Sequence, residues 1–190
     1  VEVDGLPVVD AMAAVEPFTH GSTVAYRRMQ TLHLLLRGRY GTELALTTRA
    51  ADGSEQTSVV ERSVRFGTYT GDARPDVIEV LEPDVGYIDL TRISENDILG
   101  SLDLVDGIES LIVDMRGYPT REAWDLFART LTEDAPTAAF LLPITTAPDG
   151  QDRAFEDVGW TMEPISPPLA SRIVFLTDER AISAAETLLG

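Results

Sequence analysis

The sequence predicts an α/β core preceded by a smaller β-rich module, α+β when the chain is taken whole. Three observations carry this class. Short apolar runs of strand length recur in the second half, at 85–91 (VGYIDLT), 111–113 (LIV), 138–142 and 173–177 (IVFLT). Segments of helical period lie between them, and that alternation is the pattern of a parallel sheet covered by helices. The first sixty residues behave differently, alternating apolar and polar positions on either side of Asp52-Gly53 in the manner of a hairpin. A stretch at 64–76 lacks any period and carries Gly67, Gly71 and Pro75, as a connector or irregular edge would. The expected division is therefore 1–63, a connector at 64–80, and a core at 81–190.

Within the module, residues 1–9 (VEVDGLPVV) read as a short strand, an Asp-Gly turn and a second apolar stretch. Ser22 is placed to cap a helix running to about Arg37, where Gly38 stops it. Val24, Leu32, Leu35 and Leu36 fall at helical spacing and define its expected core face. Residues 42–49 and 56–62 form the arms of the hairpin. In the core, Ser94 caps a helix at 95–105, and Pro119 with Thr120 opens an amphipathic helix at 120–131. The Pro, Gly and Asp content of 143–170 is that of a functional or lid-like loop, because the stretch is too long for an ordinary connection. A last helix begins near Ile182 or Ser183.

Composition narrows the chemistry. The chain has 190 residues, 44% hydrophobic and 25% charged, which suits one large or two small globular domains. Its formal charge of −17 repels phosphate backbones and anionic membrane surfaces, so nucleic acid is not an expected partner. Without cysteine there is no disulfide, thiolate metal site or cysteine nucleophile. No apolar run approaches the ~20 residues of a membrane span. All fifteen basic residues are arginine. No His, Asp and Glu cluster has metal-ligand spacing, and no cofactor is implied.

Two segments stand out chemically. In 176–186 (LTDERAISAAE) a buried strand ends, the chain turns, and Ser183 opens an alanine-lined helix. Unpaired amides at a helix start stabilise an oxyanion formed beside such a hydroxyl, and small neighbours let a substrate backbone approach. The same letters, Ser183-x-x-Glu186 before an apolar run, also spell a capping box. Both readings stand at this point. In 112–120 (IVDMRGYPT) a strand again runs through a turn into a helix, which suits anion or oxyanion binding; alternatively, Asp114 simply pairs with Arg116 or caps the helix. Of the two histidines, His33 falls inside the first helix and His20 in a Thr-His-Gly-Ser turn. Both read as structural or surface residues, with His20 the one able to approach a neighbouring site.

Taken in order, these segments resemble the C-terminal processing (tail-specific) serine peptidases, a family that includes the tricorn core. Residues 86–90 (GYIDL) match its "G-Y-I-x-L" strand, 112–119 its "D-hydrophobic-R-x-x-P" turn, and 178–186 its "D-E-x-x-S-A-x-E" nucleophile motif. Residues 1–5 (VEVDG) and 41–47 (GTELALT) resemble the later part of the PDZ domain that precedes this core. The resemblance implies a partial PDZ-like module joined to part of a Clp protease/crotonase-like core. It implies Ser183 as acyl-forming nucleophile, Ala184 as one backbone oxyanion donor, and the turn of Gly117, Thr120 and Arg121 as the other. A polypeptide substrate and, in bacterial members, an extracytoplasmic location come with it. Thr120 and Arg121 stand where many relatives carry paired glycines. The family's base is commonly a lysine about two dozen residues beyond the serine, and this chain has no lysine. The base is therefore expected beyond Gly190 in a full-length protein, and these 190 residues alone are expected to be inactive. A catalytically silent peptide-binding relative is the alternative.

Overall fold

The computed structural model describes residues 1–63, 73–145, 147, 150 and 153–189. The chain divides into two units, Val1–Asp72 and Ala73–Gly190.

In the first unit, strands β1 (Glu2–Val3) and β2 (Leu6–Pro7) turn about Asp4 and Gly5, both at positive φ. Helices α1 (Val8–Val15) and α2 (Val24–Leu36) follow, then β3 (Glu43–Arg49) and β4 (Glu55–Glu61). The sheet is antiparallel in the order β2-β1-β3-β4. The hairpin forms as expected, with Leu46 opposite Ser58 and Gly53 at φ 86° in the turn. Val8 and Val9 begin α1 instead of extending a strand, since the alanine-bearing run after Pro7 favours helix. Thr23, not Ser22, caps α2, its Oγ1 accepting the Tyr26 N–H at 3.2 Å. The expected core face of α2 is only partly right. Val24, Leu32 and Leu36 are exposed, and Thr31 is buried in their place with its hydroxyl satisfied by the Arg27 carbonyl at 2.9 Å. Val3, Ala11 and Leu44 form a small core with Leu35 packed against it. The PDZ-like character of this unit rests on the sequence resemblance alone.

Residues 64–72 of the expected connector, Gly67 and Gly71 among them, lie outside the described residues. Its last three positions, 78–80, belong to strand β5 (Ile78–Glu82), whose far face is exposed and whose alternation is therefore faint. The second unit continues with β6 (Val85–Asp89), α3 (Glu95–Ser101), β7 (Ile108–Asp114) and α4 (Ala123–Ala128). Ser94 caps α3 in a full capping box with Asp97, and the helix tightens into a 3-10 turn at Leu102–Leu104. Helix α4 is shorter than the amphipathic pattern predicts, because Arg121 and Glu122 form a turn ahead of it and Arg129 ends it. The loop expected at 143–170 contains strand in its described residues, at 143–145, 153–157 and 161–162. β8 (Ala135–Pro136) pairs with β11 (Thr161–Met162), and β9 (Leu141–Thr145) with β10 (Arg153–Asp157). Strand β12 (Ala170–Leu176) and helix α5 (Ala184–Leu189) complete the unit.

Four strands make the main sheet, in the order β12-β7-β6-β5. β12, β7 and β6 are parallel, as the alternation predicts, and β5 is an antiparallel edge. Buried Ile88, Leu111 and Val113 pack with Leu126 and Phe127 of α4 and with Ala185 and Leu188 of α5. This cluster has fourteen buried apolar residues against three in the first unit, so stability resides mainly in the second. Among the described residues no helix is long and apolar enough to cross a membrane.

Candidate active site

Register decides where the site lies. Leu176 of β12 is level with Asp114 of β7, and Asp114 with Asp89 of β6. Three parallel strands therefore end together, and the turns that follow emerge at one edge of the sheet, where open α/β sheets bind ligands. The main chain also joins two of these turns, since Met115 N–H donates to the Leu176 carbonyl at 2.8 Å.

Each strand is turned by an aspartate that accepts the N–H two residues on. Asp89 Oδ1 takes the Thr91 N–H at 2.8 Å, Asp114 Oδ1 the Arg116 N–H at 2.9 Å, and Asp178 Oδ1 the Arg180 N–H at 2.9 Å. Asp side chains favour such turns by substituting for a backbone acceptor. Each carboxylate is then neutralised. Arg116 forks onto Asp114, with Nη2 at 2.5 Å from Oδ2, and Arg180 pairs with Asp178. Arg92 Nε lies 2.6 Å and Arg74 Nη1 2.9 Å from Asp89 Oδ2. The Asp114–Arg116 pairing weighed for that segment thus forms.

Asp89 and Asp114 are completely buried. Burial opposes ionisation of Asp114, but hydrogen bonds from Arg116 and Tyr87 and the charge of Arg74 outweigh it and hold the carboxyl at about 2. Asp89 is likewise held below its ordinary value, burial being outweighed by bonds from Thr91, Arg74 and Arg92. The Tyr87 hydroxyl donates to Asp114 Oδ2 at 2.7 Å, and burial together with that bond pushes the phenol up. Both acids are anionic anchors, so neither serves as a proton-accepting base near neutrality.

Ser183 stands at the turn between β12 and α5 with φ at 57°, a left-handed conformation that is rare for a residue bearing a Cβ. Three bonds hold it there. Its N–H donates to Glu186 Oε2 at 2.8 Å, and its carbonyl accepts the Thr187 N–H at 2.9 Å and the Thr187 hydroxyl at 3.0 Å. Only one limb of the capping box is present. In an ordinary box the serine is extended and its Oγ accepts the N–H three residues on. Here the carboxylate of Glu186 does the capping, and Ser183 Oγ has no partner among the described residues. The residue is exposed, while Ala185 and Leu188 anchor its helix in the core.

The amides proposed from sequence divide sharply. Gly117 N–H is taken by the Met115 carbonyl at 2.8 Å and Thr120 N–H by the Leu90 carbonyl at 2.9 Å, so neither is a donor in this geometry. The physical reason is that the turn closes on itself and on the end of β6. The N–H groups of Arg121 and Ala184 have no acceptor among the described residues. Thr120 Oγ1 is buried and unpaired. His20 is exposed in the first unit, and no described residue is hydrogen-bonded to Ser183 Oγ as a base. Among the described residues no group of three His, Cys, Asp or Glu could hold a metal ion. Sequence reasoning missed Tyr87, Asp89, Arg92 and Arg74. A signal existed for Asp89, since D-L-T, D-M-R and D-E-R each follow an apolar strand; none existed for Arg74.

Shape comparison places the chain in a class: a mixed α+β, protease-like fold. It aligns over its full length with mature CPAF, a serine protease, at a TM-score of 0.56 and 15% identity. The chain spans 59% of the CPAF chain, and at that identity the likeness is one of fold. CPAF complexed with lactacystin aligns over 75% of this chain and 39% of its own at 18% identity, with a TM-score of 0.43, too low to add to the comparison. No family model matches the sequence, and no curated protein matches it significantly.

Proposed function

We propose that the full-length protein is a serine peptidase of the C-terminal processing type, with Ser183 as its nucleophile. The observation that carries this reading is the conformation of Ser183. A left-handed serine at the carboxyl edge of a parallel sheet, braced by Glu186 and Thr187, presents a hydroxyl with no hydrogen-bond partner among the described residues. Strain of this kind persists where surrounding contacts enforce it, and it concentrates at functional sites. The likeness in fold to a serine protease supports the same reading.

In the reaction, Ser183 Oγ attacks the scissile carbonyl carbon as a base removes its proton. The carbonyl oxygen becomes an oxyanion, for which the Ala184 N–H and the Arg121 N–H of the facing turn are the donors. The base returns the proton to the departing amine, and water then releases the acyl group by the same steps. The base comes from outside the residues that frame Ser183. An extracytoplasmic location belongs to the proposal through the resemblance. A peptide-binding protein without turnover is the second reading, favoured by the lack of a base bonded to Ser183 Oγ.

A serine-directed fluorophosphonate tests both. The full-length protein should label at Ser183 within minutes, and Ser183→Ala should not label. The 190-residue chain should label slowly or not at all. Absence of labelling in the full-length protein, together with retained peptide binding, would establish the second reading.

A further inference from the structure

The turn at 115–122 begins at Gly117, whose φ of 145° is open to glycine and unfavourable to other residues. Sterics alone therefore do not fix the peptide plane between Arg116 and Gly117. Hydrogen bonds must, because that plane sets the course of the chain toward Arg121: its N–H side is held by the Met115 carbonyl at 2.8 Å, and its carbonyl side needs a donor of its own.

Arg74 is the group that reaches it. Its side chain is only 7% exposed and enters from just ahead of β5. Nη2 donates to the Arg116 carbonyl at 2.7 Å, while Nη1 donates to Asp89 Oδ2 at 2.9 Å and to Thr91 Oγ1 at 3.1 Å. Nη1 also lies 3.7 Å from Asp114 Oδ1. Thr91 in turn sits against Gly117, where a Cβ would meet its Cγ2 at 3.4 Å. Neutralisation accounts for only part of what Arg74 does. Asp89 already accepts from Thr91 and Arg92, and Asp114 from Arg116 and Tyr87. The contact with no substitute among these is the one to the Arg116 carbonyl. Only a planar fork serves acceptors on both segments at once; a lysine ammonium is a single point.

We propose that Arg74 is a positioning residue of the acyl-transfer site. It tethers the Arg116 carbonyl, fixes the Arg116–Gly117 peptide plane and so aims the amides of the turn that faces the reaction. This role rests on the reading of Ser183 as nucleophile.

The test has two arms. In the 190-residue chain, amide hydrogen exchange followed by NMR reads the tether without any need for activity. Arg74→Lys and Arg74→Met should speed exchange at Gly117 and Thr120 by at least about tenfold and leave Ile88 and Val113 unchanged. In the full-length protein the same variants should lower kcat by at least about tenfold with little change in KM, since a misplaced donor weakens transition-state binding. The charge-balanced pair Arg74→Met with Asp89→Asn separates positioning from burial of an unpaired acid. It should regain thermal stability yet stay defective in exchange and in kcat. Recovery of both by the pair, or unchanged exchange at Gly117 and Thr120 in the single variants, would overturn the proposal. A full-length wild type that fails to label at Ser183 would instead overturn the peptidase reading and the catalytic role of Arg74 with it, while the exchange arm still reports whether the tether exists.

Discussion

Replacing Ser183 by glycine and by alanine separates a nucleophile elbow from a helix cap through stability alone. A residue with a Cβ held at φ 57° carries roughly 1–2 kcal/mol of conformational strain. Glycine relieves that strain but loses about 0.5–1 kcal/mol through its greater unfolded-state freedom, leaving a net gain between zero and about 1.5 kcal/mol. Alanine keeps the strain and removes a hydroxyl that has no partner among the described residues, so its effect should be close to zero. The main-chain bonds to Glu186 and Thr187 survive both changes. A capping serine behaves in the opposite sense: alanine costs about 1 kcal/mol and glycine a few tenths. Differential scanning calorimetry on the transition of the second unit resolves the two orders, since 1 kcal/mol moves the midpoint by roughly 4 °C for about a hundred residues. Glycine above or level with wild type and alanine unchanged is the expected order. Alanine lower by about 4 °C with glycine below wild type would refute the elbow. In the full-length protein both variants should be inactive.

Acid should remove part of the stability through Asp114. Its carboxyl falls from 3.8 unfolded to about 2 folded, so the contribution is complete above pH 4 and disappears as pH falls through 2. The size is about 2 kcal/mol, and Asp114→Asn should flatten that segment of a pH-dependent urea titration. Gly86→Ala should cost about 1–3 kcal/mol, because the new Cβ would lie 2.8 Å from Val105 Cγ1 and 3.2 Å from Leu111 Cδ1; adding Val105→Ala should recover part of the loss in the same titration. Phe127→Ala opens the core beneath α4, where the ring lies 5.3 Å from that of Phe175, and should lower stability by about 3–5 kcal/mol. His20→Gln should leave turnover of the full-length protein unchanged, as the imidazole is exposed and has no hydrogen-bond partner among the described residues.

What could be read in advance follows the range over which each signal acts. The Asp52-Gly53 hairpin and the Ser94 cap formed as written because turn and cap chemistry acts within a few residues. The parallel strands β6, β7 and β12 were legible for a similar reason, since each carries a continuous apolar run of strand length. Strands β5 and β10 were not, their outward faces being exposed and their patterns weak, and the strand expected at 138–142 lies instead at Leu141–Thr145, paired antiparallel with β10 outside the main sheet. The buried edge was the least visible part. Arg74, Asp89 and Asp114 are separated by fifteen and twenty-five positions, and only sheet register makes them neighbours.

Ser183 shows why a motif that is present in the letters can still be misread. Ser-x-x-Glu fixes which two side chains stand one helical turn apart but leaves open which of the two reciprocal bonds forms. That choice depends on the φ of the first residue. An extended serine places its Oγ toward the helix amides, whereas a left-handed one turns it away and leaves only the Glu186 carboxylate on the main chain. The angle is imposed by the geometry between β12, paired along its length with β7, and α5, whose Ala185 and Leu188 are locked into the core. Two capping geometries can thus share one spelling, and packing at both ends of a seven-residue turn selects between them. The Ser183 hydroxyl is left without a partner among the described residues because the Glu186 carboxylate takes over the structural task.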